Sequence, residues 1–151
     1  MIAFFEDVII QTVCRILTPF IQLYGLYVIA HGHHSPGGGF QGGVILGASF
    51  ILLCLAYDIK EVKKRMSEQW NLLFCSMGVI IYSGIGVLCL LLGGEYLDYS
   101  RLHQVLFIDP IQARSMGIFG IEVGVGITVM AVMISIFLNL ASEGEHEREM
   151  E

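Results

Sequence analysis

Residues 31–43 read HGHHSPGGGFQGG, after the apolar run VIIQTVCRILTPFIQLYGLYVIA (8–30) and leading into FQGGVILGASFILLCLAY (40–57). The hydrocarbon core of a bilayer is about 30 Å thick, and about 20 largely apolar residues cross it as a helix. Both runs meet that length. The histidine and glycine stretch therefore reads as a tight turn between two transmembrane helices. Working outward, two further runs qualify: NLLFCSMGVIIYSGIGVLCLLL (71–92) and GIFGIEVGVGITVMAVMISIFLNL (117–140). Lipid offers backbone polar groups no partners, so each run is expected to be helical. The fold class read from the sequence is all-α: an integral membrane protein with four transmembrane helices. One domain spans residues 1–151, with an acidic tail at 141–151.

Composition points the same way. Hydrophobic residues make up 55% and charged residues 15% of the chain, against about 25% charged in soluble domains. The mean hydropathy is +0.72. The net charge is −6, and the tail SEGEHEREME (142–151) carries five glutamates and one arginine. Such a run reads as a solvated end, and the absence of a basic patch argues against nucleic acid as a partner. The four cysteines, Cys14, Cys54, Cys75 and Cys89, lie in apolar runs without a CxxC pair, so they read as small apolar residues. Glu6 and Asp7 stand where a signal peptide would carry basic residues, so the first span is expected to be retained.

The connection DIKEVKKRMSEQW (58–70) holds Lys60, Lys63, Lys64 and Arg65, half of the chain's eight Lys and Arg residues. The positive-inside rule puts it in the cytoplasm of a cell-membrane protein, with both termini on the same side. The HGHH turn and the connection 93–116 then face outward. That second connection, GGEYLDYSRLHQVLFIDPIQARSM, has no regular pattern and reads as an ordered loop on the membrane or against a partner. Tyr96, Tyr99 and Phe107 suit the interface, where amphipathic rings settle.

Two spans carry small residues at helical spacing. In the fourth, Gly117, Gly120, Gly124, Thr128, Ala131 and Ser135 share one face; in the second, Gly43 and Gly47 form a GxxxG pair. Small residues let helix backbones approach, the usual way helices associate in lipid. The stripes serve either docking into a larger assembly or packing within the chain's own bundle.

Glu122 is the polar residue hardest to explain. A charge at the centre of a span costs roughly 2.5 to 3.5 kcal/mol on insertion scales, and a low-dielectric site favours the neutral acid unless a cation or donor stands nearby. That is relay chemistry for a proton or sodium ion; a structural hydrogen bond is the competing reading. Glu122 lies opposite the glycine stripe on its helix, so it meets a different neighbour. Arg15 is near enough to a membrane face to snorkel, and Pro19 is expected to kink the first span. His31, His33 and His34 lack the further Cys, Asp or Glu ligands a zinc site needs, so no metal and no cofactor is expected in this chain. The glycine run lacks the GK[ST] ending of a phosphate loop. Pro36 ends one element, and Gly37, Gly38 and Gly39 are expected to adopt backbone angles that other residues avoid. The chain re-enters the membrane at Phe40, Gln41, Gly42 and Gly43, with the second helix's N-terminal amides pointing into the turn, where partial positive charge suits a carboxylate. Histidine is a residue type suited to proton entry or exit, and the three in this turn are candidates for it. Asp58 and Lys60, where the second span meets the basic connection, join Glu122, His31, His33 and His34 as ion-path candidates.

The run Pro36-Gly37-Gly38-Gly39-Phe40-Gln41-Gly42-Gly43 resembles the PGGGFxGG signature of the MnhB/MrpB family, the B subunit of Mrp-type multisubunit Na+/H+ antiporters. LAYDIKEVKK (55–64) is similar to the family's segment after its second helix, and IFGIEVGVG places Glu122 and Gly124 where members carry an acid before VG. The resemblance covers nearly the whole chain. It implies a small four-helix subunit without catalysis of its own, set among other antiporter subunits and helping to move sodium ions and protons. The same module occurs in membrane-bound hydrogenase and sulfane sulfur reductase complexes, so a redox-driven parent complex is a second setting. The departures are Glu in place of the more familiar Asp and the long acidic tail.

An ion-translocating subunit is thus the leading reading. A non-conducting scaffold holding its neighbours in register is the alternative, and a histidine metal site is a weaker third. No Ser/His/Asp set, HExxH or cofactor motif supports an enzyme acting alone.

Overall fold

The computed structural model describes the backbone of residues 2–32, 37–57 and 68–149, and the side chains of 8–32, 37–57 and 69–141. Every regular element among them is helical: α1 (Ile2–Ala30), α2 (Gly39–Ala56), α3 (Glu68–Leu91), a 3-10 turn (Tyr99–Leu102) that runs into α4 (His103–Leu106), and α5 (Pro110–Glu149). Four stretches are long and apolar enough to cross a membrane: Val8–Ala30, Gly39–Ala56, Gln69–Leu91 and Pro110–Ala141. The protein is an all-α, multi-pass membrane protein. Pro19 lies inside α1, and the helix continues through it.

The fourth span begins earlier than its hydropathy suggests. Residues 110–116 belong to α5 and not to an irregular loop. Proline at a first helical position gives up an N–H that the first turn leaves unpaired anyway, and its φ is already helical. Asp109 precedes it, and its carbonyl accepts from Ala113 N at 2.9 Å. The Asp109-Pro110 pair was the available signal; the polar residues after it masked the start. The apolar stretch of α5 has 32 residues, or about 48 Å at 1.5 Å per residue, well beyond the roughly 30 Å bilayer core. It must tilt or project.

The N-terminal end of α5 is wrapped by the segment before it. Leu102 packs with Cys89 of α3 and Ala113 of α5, ringed by Ile85, Leu88, Leu92, Tyr99 and Ile108. Asp98 starts the 3-10 turn by accepting from Ser100 N at 3.3 Å and Ser100 Oγ at 2.5 Å. Arg101 Nε lies 3.6 Å from its other oxygen. Leu97 (φ 66°) and Phe107 (φ 54°) take left-handed backbone at the two ends of this compact turn. Tyr96 lies over Gly86 of α3, where a side chain would strike its ring.

The helices pack in the order α1, α2, α5, α3. On α1 the inward stripe is Cys14, Thr18, Gly25, Val28 and Ile29. On α5 one face meets the 3-10 turn and α3: Gly117 touches Tyr99 and Leu102, Gly120 faces Ile85, and Gly124 faces Gly78 and Ile81. The same stripe continues to Ala131 and Ser135. There Asn71 of α3, 3% exposed, donates to Ala131 O at 2.9 Å and Ser135 Oγ at 2.6 Å. The opposite face of α5 meets α2, with Gly43 against Gly126 and Gly47 against Met130 and Met133. Both small-residue stripes are therefore engaged within this chain. Most of α1 and α3 faces outward, with residues such as Phe20, Leu23, Leu72, Ile80 and Leu91 exposed. Among the described residues the four long helices form a single row, α1 to α2 to α5 to α3, that encloses no channel.

Candidate functional site

Three elements meet at one end of the row: the end of α1, the start of α2 and the flank of α5. Glu122 stands there, twelve residues into α5 (122 − 110), or about 18 Å along its axis. The earlier start of α5 thus places the acid deeper in its helix than a start at 117 implies. Its carboxylate reaches the turn between α1 and α2. A methyl group at Gly32 would lie 2.5 Å from Oε1 and 2.6 Å from Oε2; one at Gly38 would lie 3.1 Å from Oε1. A methyl at Gly39 would overlap the Glu122 backbone carbonyl. Oε2 is fully buried.

The glycine run therefore works through close approach, and not through the unusual backbone angles expected of it. Gly38 is extended (φ 179°), and the glycine with positive φ among the described residues is Gly93. α2 starts here with Gly42 N donating to Gly38 O at 2.9 Å. Gly42 is sealed against α1, where a side chain would strike Ile29 and the Gly25 carbonyl. Gly39 and Gly43 are buried and face α5, while Phe40 is 66% exposed and points away from the bundle. A methyl at Gly37 would lie 2.8 Å from Gln41 Oε1. α2 thus presents its N-terminal end beside the Glu122 carboxylate. The first-turn amides of a helix carry partial positive charge, which is where an acid is stabilised.

His31 is exposed at the end of α1. Its ring stacks on Tyr27 with centroids 4.1 Å apart, and Nδ1 lies 3.2 Å from the Tyr27 carbonyl. His33, His34, Pro36, Asp58 and Lys60 lie outside the described residues, as do the side chains of the acidic tail from 142 on. The structure brings together Glu122 and the glycine turn, which the sequence presents as separate features. Gly32 and Asn71 were missed by sequence reasoning. The signal for Gly32 was its position one turn beyond Val28 on the inward stripe of α1. A lone Asn at a span's end gives none, because only packing shows that it is buried. No group of three or more His, Cys, Asp or Glu side chains able to hold a metal occurs among the described residues.

Residues 9–135 match the family described as "Domain related to MnhB subunit of Na+/H+ antiporter". The "Putative antiporter subunit mnhB2" of Staphylococcus haemolyticus (strain JCSC1435) is 31% identical over 137 residues, covering 90% of this chain and 95% of the relative. The protein of the same name from Staphylococcus aureus (strain Newman) is 28% identical over the same share. The glycine turn and Glu122 both fall inside the matched region, and the chain belongs to the MnhB family of Na+/H+ antiporter subunits.

Proposed function

We propose that this chain is a membrane subunit of a multisubunit Na+/H+ antiporter and that Glu122, held against the turn of Gly32, Gly38 and Gly39, handles the ion on its way through the assembly. The observation carrying the reading is a carboxylate on a membrane helix, with one oxygen buried, set beside a helix N-terminus. Ionisable groups inside spans are costly and mark ion or proton paths. A carboxylate exchanges a proton for a sodium ion by accepting either at the same oxygens. His31, exposed at the end of α1, and by sequence alone His33, His34, Asp58 and Lys60 are the further ion-path candidates. The row of helices leaves the path open on one side, so neighbouring antiporter subunits complete it.

The chain carries no reaction and no cofactor of its own. It sits in the cell membrane with both termini in the cytoplasm, as the basic connection directs. Its partners are the other membrane subunits of the antiporter. If the module serves a redox-driven complex, a hydrogenase-like large subunit co-purifies with it. The deciding experiment is Glu122→Gln in the whole assembly, with coupled Na+/H+ exchange measured in membrane vesicles. Exchange is expected to collapse while the complex stays intact. Full exchange in an intact complex leaves the subunit as a scaffold.

A further inference from the structure

We propose that Gly32 is a positioning residue for the Glu122 carboxylate, and that its missing side chain leaves the space that group occupies beside Gly38. The proposal rests on the reading of Glu122 as the ion-handling acid. Gly32 and Gly38 stand at the two ends of the turn, and they meet: a methyl group on Gly32 would lie 2.6 Å from the Gly38 Cα. The same methyl would lie 2.5 Å and 2.6 Å from the two carboxylate oxygens. Carbon and oxygen do not approach so closely without a bond, so any side chain at 32 displaces either the carboxylate or the backbone at Gly38. That backbone has little freedom, because Gly39 is already against the Glu122 backbone and Gly42 against Gly25 and Ile29. The carboxylate is the softer partner, and it moves.

Backbone conformation does not demand glycine at 32, since no positive φ is recorded there. Space for the carboxylate does. Gly32 thus differs from Gly25, Gly42 and Gly43, whose absent side chains accommodate neighbouring helices. Residue 32 determines where the carboxylate oxygens sit relative to the first turn of α2, and so how well they hold a small cation.

The test is a compensation cycle in the assembled complex. Gly32→Ala is expected to raise the apparent KM for sodium on the order of tenfold, with a smaller change in kcat, since misplacing a reacting group by about 1 Å carries penalties of this size or larger. Glu122→Asp shortens the acid by one methylene and also weakens exchange. The double variant restores room, so its KM is expected to fall below that of Gly32→Ala. Gly84→Ala, on an open face of α3 with nothing within 4 Å, should leave KM unchanged. An unaltered KM in Gly32→Ala overturns the proposal, as do two losses that simply multiply. If Gly32→Ala lowers assembly instead, recovery of assembly in the double variant supports the proposal and failure to recover overturns it. Should Glu122→Gln leave exchange untouched, the reading of the acid itself falls, which is a separate outcome.

Discussion

Gly43→Ala places one methyl group in the seam between α2 and α5. It would lie 2.6 Å from the Gly126 carbonyl oxygen, 3.0 Å from Gly126 Cα and 3.0 Å from Val129 Cβ, where ordinary contact begins at 3.4 Å. The helices must part by up to 0.8 Å (3.4 − 2.6) to admit it. A gap of 0.5–1 Å forfeits about a quarter to a half of the dispersion energy of the atoms it separates. The neighbouring contacts at Gly39 and Gly47 lose part of theirs as well. Overpacking of this kind costs about 1–3 kcal/mol, offset by about 0.5–1 kcal/mol because alanine orders more cheaply than glycine in a helix. The net loss expected is about 1–2 kcal/mol. Gly84→Ala meets nothing within 4 Å and keeps only the favourable term. The assay is denaturant titration of the purified complex in detergent, following loss of helicity and subunit release. The two variants should differ by about 2 kcal/mol, roughly thirtyfold in population, with Gly43→Ala the weaker. Equal stability, or a stabilised Gly43→Ala, would refute the claim that α2 and α5 touch backbone to backbone.

Two further predictions test other parts of the fold. Asn71→Ala removes both donations across the α3–α5 seam; interhelical hydrogen bonds in membranes average about 0.6 kcal/mol, so a loss of about 1 kcal/mol is expected on denaturant titration. Asn71→Asp should cost more, because it turns an acceptor toward the Ala131 carbonyl, and a milder effect than alanine's contradicts the contact. At Asp98 the hydrogen bond from Ser100 holds the carboxyl below its ordinary value of 3.8, with Arg101 and Arg114 adding to the effect and partial desolvation opposing it. A depressed carboxyl contributes stability above 3.8 that is lost as pH falls through the lower folded value. Ser100→Ala should therefore make hydrogen exchange in residues 93–106 accelerate at a higher pH on acidification, and an identical midpoint in the two proteins rules this out.

The helices were legible in the sequence because hydropathy and length are local properties, and lipid allows little besides a helix. The boundary at Pro110 was not, because a helix that leaves the bilayer carries polar residues and resembles a loop. The small-residue stripe of α5 and the GxxxG pair of α2 were readable from spacing alone; which helix each meets was not. The glycine turn was recognisable as a turn, but its reason was misjudged. Glycine permits both odd backbone angles and close approach, and a sequence shows only that glycine is there.

What the sequence alone determined is a four-span, all-helical membrane chain of the MnhB type with one acid inside a span. Each of those properties follows from residues near one another in the chain. What only the tertiary structure decided is that Glu122 lies between Gly32 and Gly38 at the head of α2, and that Asn71 reaches Ala131 and Ser135. Those meetings depend on the order in which the helices pack. That order is set by how closely bare glycine backbones can approach, a property of pairs of distant faces that no single stretch contains.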